Sequence, residues 1–138
     1  MSIFACPRFL PRVMAADALS CAATGALQLG LTDTLARLTG LPATLLTGTG
    51  VFLLAYAALA AWMARRPVPR RGLVGLVVAG NAAWAAGGVA LLASGLVAHT
   101  ALGAAWVLAQ AVVVIVLAQL QWMGLRATRR GRGPLALA

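Results

Sequence analysis

Four apolar runs, at about 12–31, 43–64, 72–97 and 101–125, alternate along the chain with short polar or arginine-bearing segments. Each run is near the roughly 20 residues that carry an α-helix across the hydrocarbon core of a bilayer. The segments between them are TDTLARLTGLP, ARRPVPRR and VAHT. The last is so short that the third and fourth runs must be antiparallel neighbours, and Pro67 and Pro69 make the middle link stiff and non-helical. Within the first link, Leu35 and Leu38 fall on one side of a helix and Asp33 and Arg37 on the other, followed by a Gly-Leu-Pro stop. This pattern predicts a short helix lying at the outer interface. The predicted fold is all-α: a polytopic four-transmembrane-helix bundle forming a single domain over 1–138, with a basic tail at 126–138.

Composition supports a lipid environment. Hydrophobic residues make up 62% of the chain and charged residues 9%, whereas soluble proteins carry about 25% charged residues. A water-soluble fold of this length cannot hide that much apolar surface. The net charge of +9 raises the question of nucleic acid, but the basic residues flank the apolar runs instead of gathering on one polar element. Arg8 and Arg12 precede the first run, Arg65, Arg66, Arg70 and Arg71 lie between the second and third, and Arg126, Arg129, Arg130 and Arg132 follow the fourth. By the positive-inside rule both termini and the middle link are cytoplasmic. The expected location is a bacterial inner membrane, with no nucleic-acid partner. The tail RATRRGRG has a second reading as a contact for anionic lipid. The opening MSIFACPRFLPR, followed by an apolar stretch, has the order of a signal peptide. Asp17 and the length of that stretch favour a retained helix.

One histidine, two acids and no lysine leave no material for a catalytic triad or an ordinary metal site within one chain. No enzymatic activity and no cofactor are expected, and His99, beside an outer link, reads as a solvated side chain. Cys6 and Cys21 have no spacing that suggests a disulfide or metal site. Polar residues inside the runs are more informative, because hydrocarbon leaves them no water to bond. Counted at 1.5 Å per residue from the arginine-bearing ends, Asp17 lies about 8 Å deep, Tyr56 and Asn81 about 13 Å and Gln119 about 10 Å. One from each predicted span, these four are expected to form a hydrogen-bonded cluster, which Gln28 and Gln110 extend outward. Such a cluster either fixes helix register or lines a path for a substrate or ion. Asp17 alone is ionisable; it either pairs with Arg12 near the boundary or faces the interior. Trp62, Trp106 and Trp122 sit at span ends, where interfacial indoles belong. Trp84, near mid-span, is either a packing wedge or the wall of an apolar pocket.

Small residues recur on the third run at Ala82, Ala86, Ala90 and Ser94, with Gly88 beside them, a spacing that allows close helix packing within the chain or against another subunit. A displacement of 64 residues sets ADALSCAATGAL beside GNAAWAAGGVAL and pairs Asp17 with Asn81, the mark of a two-hairpin pseudo-repeat about an axis along the membrane normal. The words GLPATLL, GNAAW, ALGAAWVLAQA and QLQWMGLR resemble those of a broad group of small bacterial four-helix integral membrane proteins. That resemblance runs from about Met14 to Arg126; it implies the bundle fold and carries no activity. The chain lacks the membrane-embedded glutamate of small multidrug transporters, having no glutamate at all. Two functions remain: an accessory or structural subunit that self-associates as a homo-oligomer or docks to a larger membrane complex, and a small transporter, channel or lipophilic-ligand carrier built on the polar cluster.

Overall fold

The computed structural model describes residue 6 and residues 8–66 and 70–130, with side chains as far as residue 127. The Pro67 and Pro69 link, the last residues of the basic tail and its proposed lipid contact lie outside the described residues. Five helices follow one another: α1 (Phe9–Gly30), α2 (Thr32–Thr39), α3 (Ala43–Ala64), α4 (Arg71–Ser94) and α5 (Ala101–Arg130). Three of them, α3, α4 and α5, are long and apolar enough to cross a membrane. The helix α1 is of similar length, 22 residues, but Arg12 and Asp17 within it lower its apolarity, so it does not join that set. Their outward faces carry Leu19, Leu76 and Val112, each more than 60% exposed, as expected of a surface meant for lipid.

The helix ends follow from local chemistry. Gly40 adopts a left-handed conformation (φ 72°) and its N–H bonds to the Ala36 carbonyl, closing α2. Pro42 then pre-sets the entry to α3. Gly95 (φ 66°) ends α4 earlier than the apolar run does. Thr100 caps α5 by accepting the Gly103 N–H at 3.1 Å, and its own N–H and hydroxyl bond to the Thr39 and Leu38 carbonyls at 2.8 and 2.7 Å. The outer link is thereby tied to the end of α2. The inward face of α2 differs from the expectation: Leu35 and Thr39, four residues apart, are buried, while Leu38 is 52% exposed. Thr39 turns inward because its hydroxyl finds the Leu35 carbonyl at 2.6 Å and accepts the Leu41 N–H.

Packing divides the bundle into two pairs. Helix α1 lies along α3 and α4 lies along α5, and the pairs join where α1 meets α5. No Cα of α3 comes within 8 Å of a Cα of α4. At the arginine-bearing end the space is filled by Leu10, Met14, Ala60, Met63, Val74 and Val77. There Arg66, just past the end of α3, lies over the Trp62 ring at 4.5 Å and Arg126 over Trp122 at 4.8 Å, four residues on in each case, so both exposed indoles carry a cation toward the boundary. Toward the other end, the side chains between α3 and α4 leave the core incomplete.

Candidate functional site

Two features occupy the interior, one above the other. The first is a polar knot around Asp17, which is fully buried. Its Oδ2 accepts hydrogen bonds from the Tyr56 hydroxyl at 3.1 Å, Asn81 Nδ2 at 3.1 Å and Gln121 Nε2 at 2.7 Å. Its Oδ1 faces the Cys21 thiol, one turn on in α1, at 3.7 Å. The bonds therefore run from α3, α4 and α5 to a single carboxyl on α1. Asn81 also reaches Gln121 Oε1 at 3.4 Å, so the two amides are linked to each other as well as to Asp17. Every donor to the carboxyl is neutral, and the sequence alternative of a pair with Arg12 is replaced by this network.

The Tyr56 hydroxyl has one proton and two acceptors, Asp17 Oδ2 and Asn81 Oδ1 at 3.2 Å. Whichever acceptor takes that proton, Tyr56 keeps a buried partner. Among the described residues, no three of His, Cys, Asp or Glu gather to hold a metal ion.

Asp17, Tyr56 and Asn81 meet as their depths along the helices anticipated. Gln119 does not join them: it lies on the exposed face of α5, and the amide that reaches Asp17 belongs to Gln121. Two residues apart on a helix means about 200° of rotation, so one glutamine faces in and the other out. Replacing Gln121 with leucine removes the shortest bond to Asp17 and is expected to lower stability by about 1–2 kcal/mol. Gln119→Leu is expected to leave stability unchanged or slightly raised; unfolding of both variants in mixed micelles, followed by far-UV circular dichroism, makes the comparison.

The second feature is a cavity of ≈ 500 Å³ on the side of the knot away from the arginines. It stands where α3 and α4 part, walled by Phe52 and Trp84 and, on α5, by Trp106 and Gln110, with Gln28 and Thr49 supplying further polar groups. Phe52 lies one turn beyond Tyr56 and Trp84 one turn beyond Asn81; their rings stack at 5.5 Å with 6° between planes, marking the boundary between knot and cavity. Trp84 therefore serves as both wedge and wall. Trp106 turns inward instead of anchoring at the surface, packing beside the cluster of Leu35, Leu41 and Leu46. Its Nε1 is buried and has no hydrogen-bond partner among the described residues. Gln28 and Gln110, expected to extend the cluster outward, border the cavity and make no hydrogen bond to the knot, while Phe52 and Thr49 were not prominent in the sequence, being ordinary residues for a membrane helix.

The small residues of α4 divide between faces. Ala82, Ala86, Ala90 and Ser94 are exposed, whereas Gly88 looks inward, where an added Cβ would stand 3.0 Å from Val107 Cγ1. Internal close approach occurs elsewhere, at Gly25 against the Gly50 carbonyl and at Gly103 against the Thr39 carbonyl. His99 is exposed, and its Nδ1 is 3.1 Å from the Val97 carbonyl oxygen. Comparison with known proteins finds no protein-family model, no curated protein and no solved structure that matches the chain.

Proposed function

We propose that this chain is a non-enzymatic membrane protein that holds a lipophilic molecule in the cavity between α3, α4 and α5, with the Asp17 knot clamping the helices beneath it. The observation that carries the reading is the cavity itself: its size lies in the range of small-molecule sites of about 300–1,000 Å³, and its walls are aromatic and aliphatic with a few polar groups. The knot supports a clamp and not a path, since its polar atoms are turned on one another. In this reading α1 is the fourth span: 22 residues reach about 33 Å, and the one charge at depth, Asp17, is met from three other helices. Both ends and the middle link face the cytoplasm of a bacterial inner membrane by the arginine distribution.

The two-hairpin arrangement belongs to the same proposal. Asp17 and Asn81, 64 residues apart and paired by the sequence displacement, are bonded directly to each other. A two-fold relation between the pairs α1–α3 and α4–α5 makes the seam of α3 with α4 equivalent to that of α1 with α5. The second brings backbones together, whereas the first is bridged by side chains alone, Tyr56 to Asn81 and Phe52 to Trp84, so this seam marks the departure from symmetry.

Native mass spectrometry of the protein released gently from its own membrane is expected to retain a small lipophilic adduct. Ala83→Leu with Gly87→Leu, two positions on the cavity wall with open space before Gly87, is expected to abolish the adduct without loss of helicity. A parent protein that flies bare, or an adduct indifferent to filling, would remove the basis of the reading.

A second reading, an accessory subunit that self-associates or docks to a larger complex, is favoured by the exposed face of Ala82, Ala86 and Ala90 on α4. Small residues on a lipid-facing surface leave room for a partner's backbone. Ala86→Leu with Ala90→Leu tests it better than any change at Gly88, which is an internal contact. A lower association state in lipid nanodiscs is expected, and an unchanged one would leave the face without a role.

A further inference from the structure

Resting on the lipophilic-ligand reading, we propose that the occupant of the cavity is an uncharged amphiphile: an apolar body against Phe52, Trp84 and Trp106, and a hydroxyl or carbonyl head that bonds to the amide of Gln28, with Gln110 offering a second amide. No charged side chain lines the cavity, and of the described arginines only Arg37, exposed on α2, stands at this end of the bundle. A phosphate or ammonium head in such a wall is buried without a counter-ion, which is strongly unfavourable.

The walls are nevertheless not purely apolar. Gln28 is 3% exposed and borders the cavity, and one end of its amide meets the Thr49 hydroxyl at 3.1 Å. The other end has no partner among the described residues. The single Thr49 proton is shared between Gln28 Oε1 and the Leu45 carbonyl at 2.7 Å, so the Gln28 amide is at most singly bonded. Gln110, partly buried on the α5 wall, makes no hydrogen bond to any described residue. Amides at membrane depth need partners, and because each offers both N–H and C=O, a neutral hydroxyl or carbonyl satisfies either. The route is lateral: the backbones of α3 and α4 make no close contact, and on the outer side of the Phe52–Trp84 stack the cavity is reached from among the lipid chains, the phase in which an uncharged amphiphile resides.

The test uses the full chain in nanodiscs with Trp62→Phe and Trp122→Phe, which leave Trp84 and Trp106 as the only indoles. Bromine quenches indole emission by contact, so three terminally brominated probes of equal chain length are compared: bromododecanol, bromododecane and bromododecyl-trimethylammonium. Saturable quenching is expected from the first two, with the alcohol binding about tenfold more tightly, the worth of one hydrogen bond. No saturable quenching is expected from the ammonium probe. Gln28→Leu is expected to bring the alcohol to the level of the alkane while alkane binding is kept; Gln110→Leu, at a partly exposed position, gives the same readout if the first variant does not fold. Equal affinities for alcohol and alkane in the parent, tightest binding by the ammonium probe, or no effect of either glutamine change overturns the uncharged-head assignment and leaves the cavity reading standing. Absence of saturable quenching by all three probes overturns both.

Discussion

Replacing Asp17 with leucine is expected to lower stability by about 3–5 kcal/mol, a large share of what a small domain possesses. The two side chains share one branched skeleton but leucine is the larger, so overpacking at this fully buried position adds to the loss of polarity. Tyr56, Asn81 and Gln121 lose the oxygen on which all three converge, at 2.7–3.1 Å. Buried donors left without an acceptor cost about 1–3 kcal/mol each, and although Tyr56 can turn to Asn81 and Asn81 to Gln121, the Gln121 amide N–H has no second acceptor in the network. Asp17→Asn keeps one carbonyl oxygen for the three donors and can turn its NH2 toward the Cys21 sulfur, so a smaller loss of about 1–2 kcal/mol is expected. Unfolding in mixed micelles, read by far-UV circular dichroism and tryptophan emission, ranks the parent, the asparagine variant and the leucine variant in that order. A leucine variant as stable as the parent would mean that the knot does not clamp the helices, and the division between clamp and cavity would fail with it.

A side chain at Gly25 is expected to be nearly as damaging. A Cβ there stands 2.9 Å from the Gly50 carbonyl oxygen and 3.1 Å from Leu54 Cγ, closer to backbone than real Cβ atoms approach. Leu54 is a side chain that can shift, but the Gly50 carbonyl cannot move without moving α1 from α3, the most extensive helix pair in the bundle. Gly25→Ala is expected to cost about 1–3 kcal/mol and Gly25→Leu more, since added volume in a packed seam is relieved only by separating the helices. Gly48 on α3 is the control. Nothing lies within 4 Å of its would-be Cβ, so Gly48→Ala gains helix propensity, about 0.5–1 kcal/mol, and loses no contact. A Gly25→Leu protein that melts like the parent would show that the α1–α3 seam has more room than these contacts allow.

These two expectations also mark where sequence reasoning reaches and where it stops. The helix boundaries around the first link and on α3 were legible because they depend on local features, apolar length and the Gly40 and Pro42 signals, whereas the apolar run alone overshot the end of α4 at Gly95. The depth of Asp17, Tyr56 and Asn81 was legible too, since rise along a helix depends only on counting residues from its end. Rotation about the helix axis was not. In water the buried side of a helix announces itself by hydrophobic periodicity, but in lipid both sides are apolar, and α5 runs AVVVIVLAQLQWM with no polar face to orient it. Nothing local distinguishes Gln119 from Gln121; the position of the Asp17 carboxyl on another helix does. The same loss of periodicity explains why the small residues of α4 drew attention while the tightest approaches are at Gly25, Gly50 and Gly103.

By itself the sequence determined an all-helical membrane chain, with its arginines at one end of each long helix and a carboxyl and two polar partners at matching depth, because length, hydropathy and residue count are properties of one segment at a time. Only the tertiary structure decided that Gln121 completes the knot, that Trp106 turns inward, and that α3 and α4 part to leave a cavity facing Gln28 and Gln110. Each of those depends on the distance and rotation between helices, which packing sets jointly for all of them.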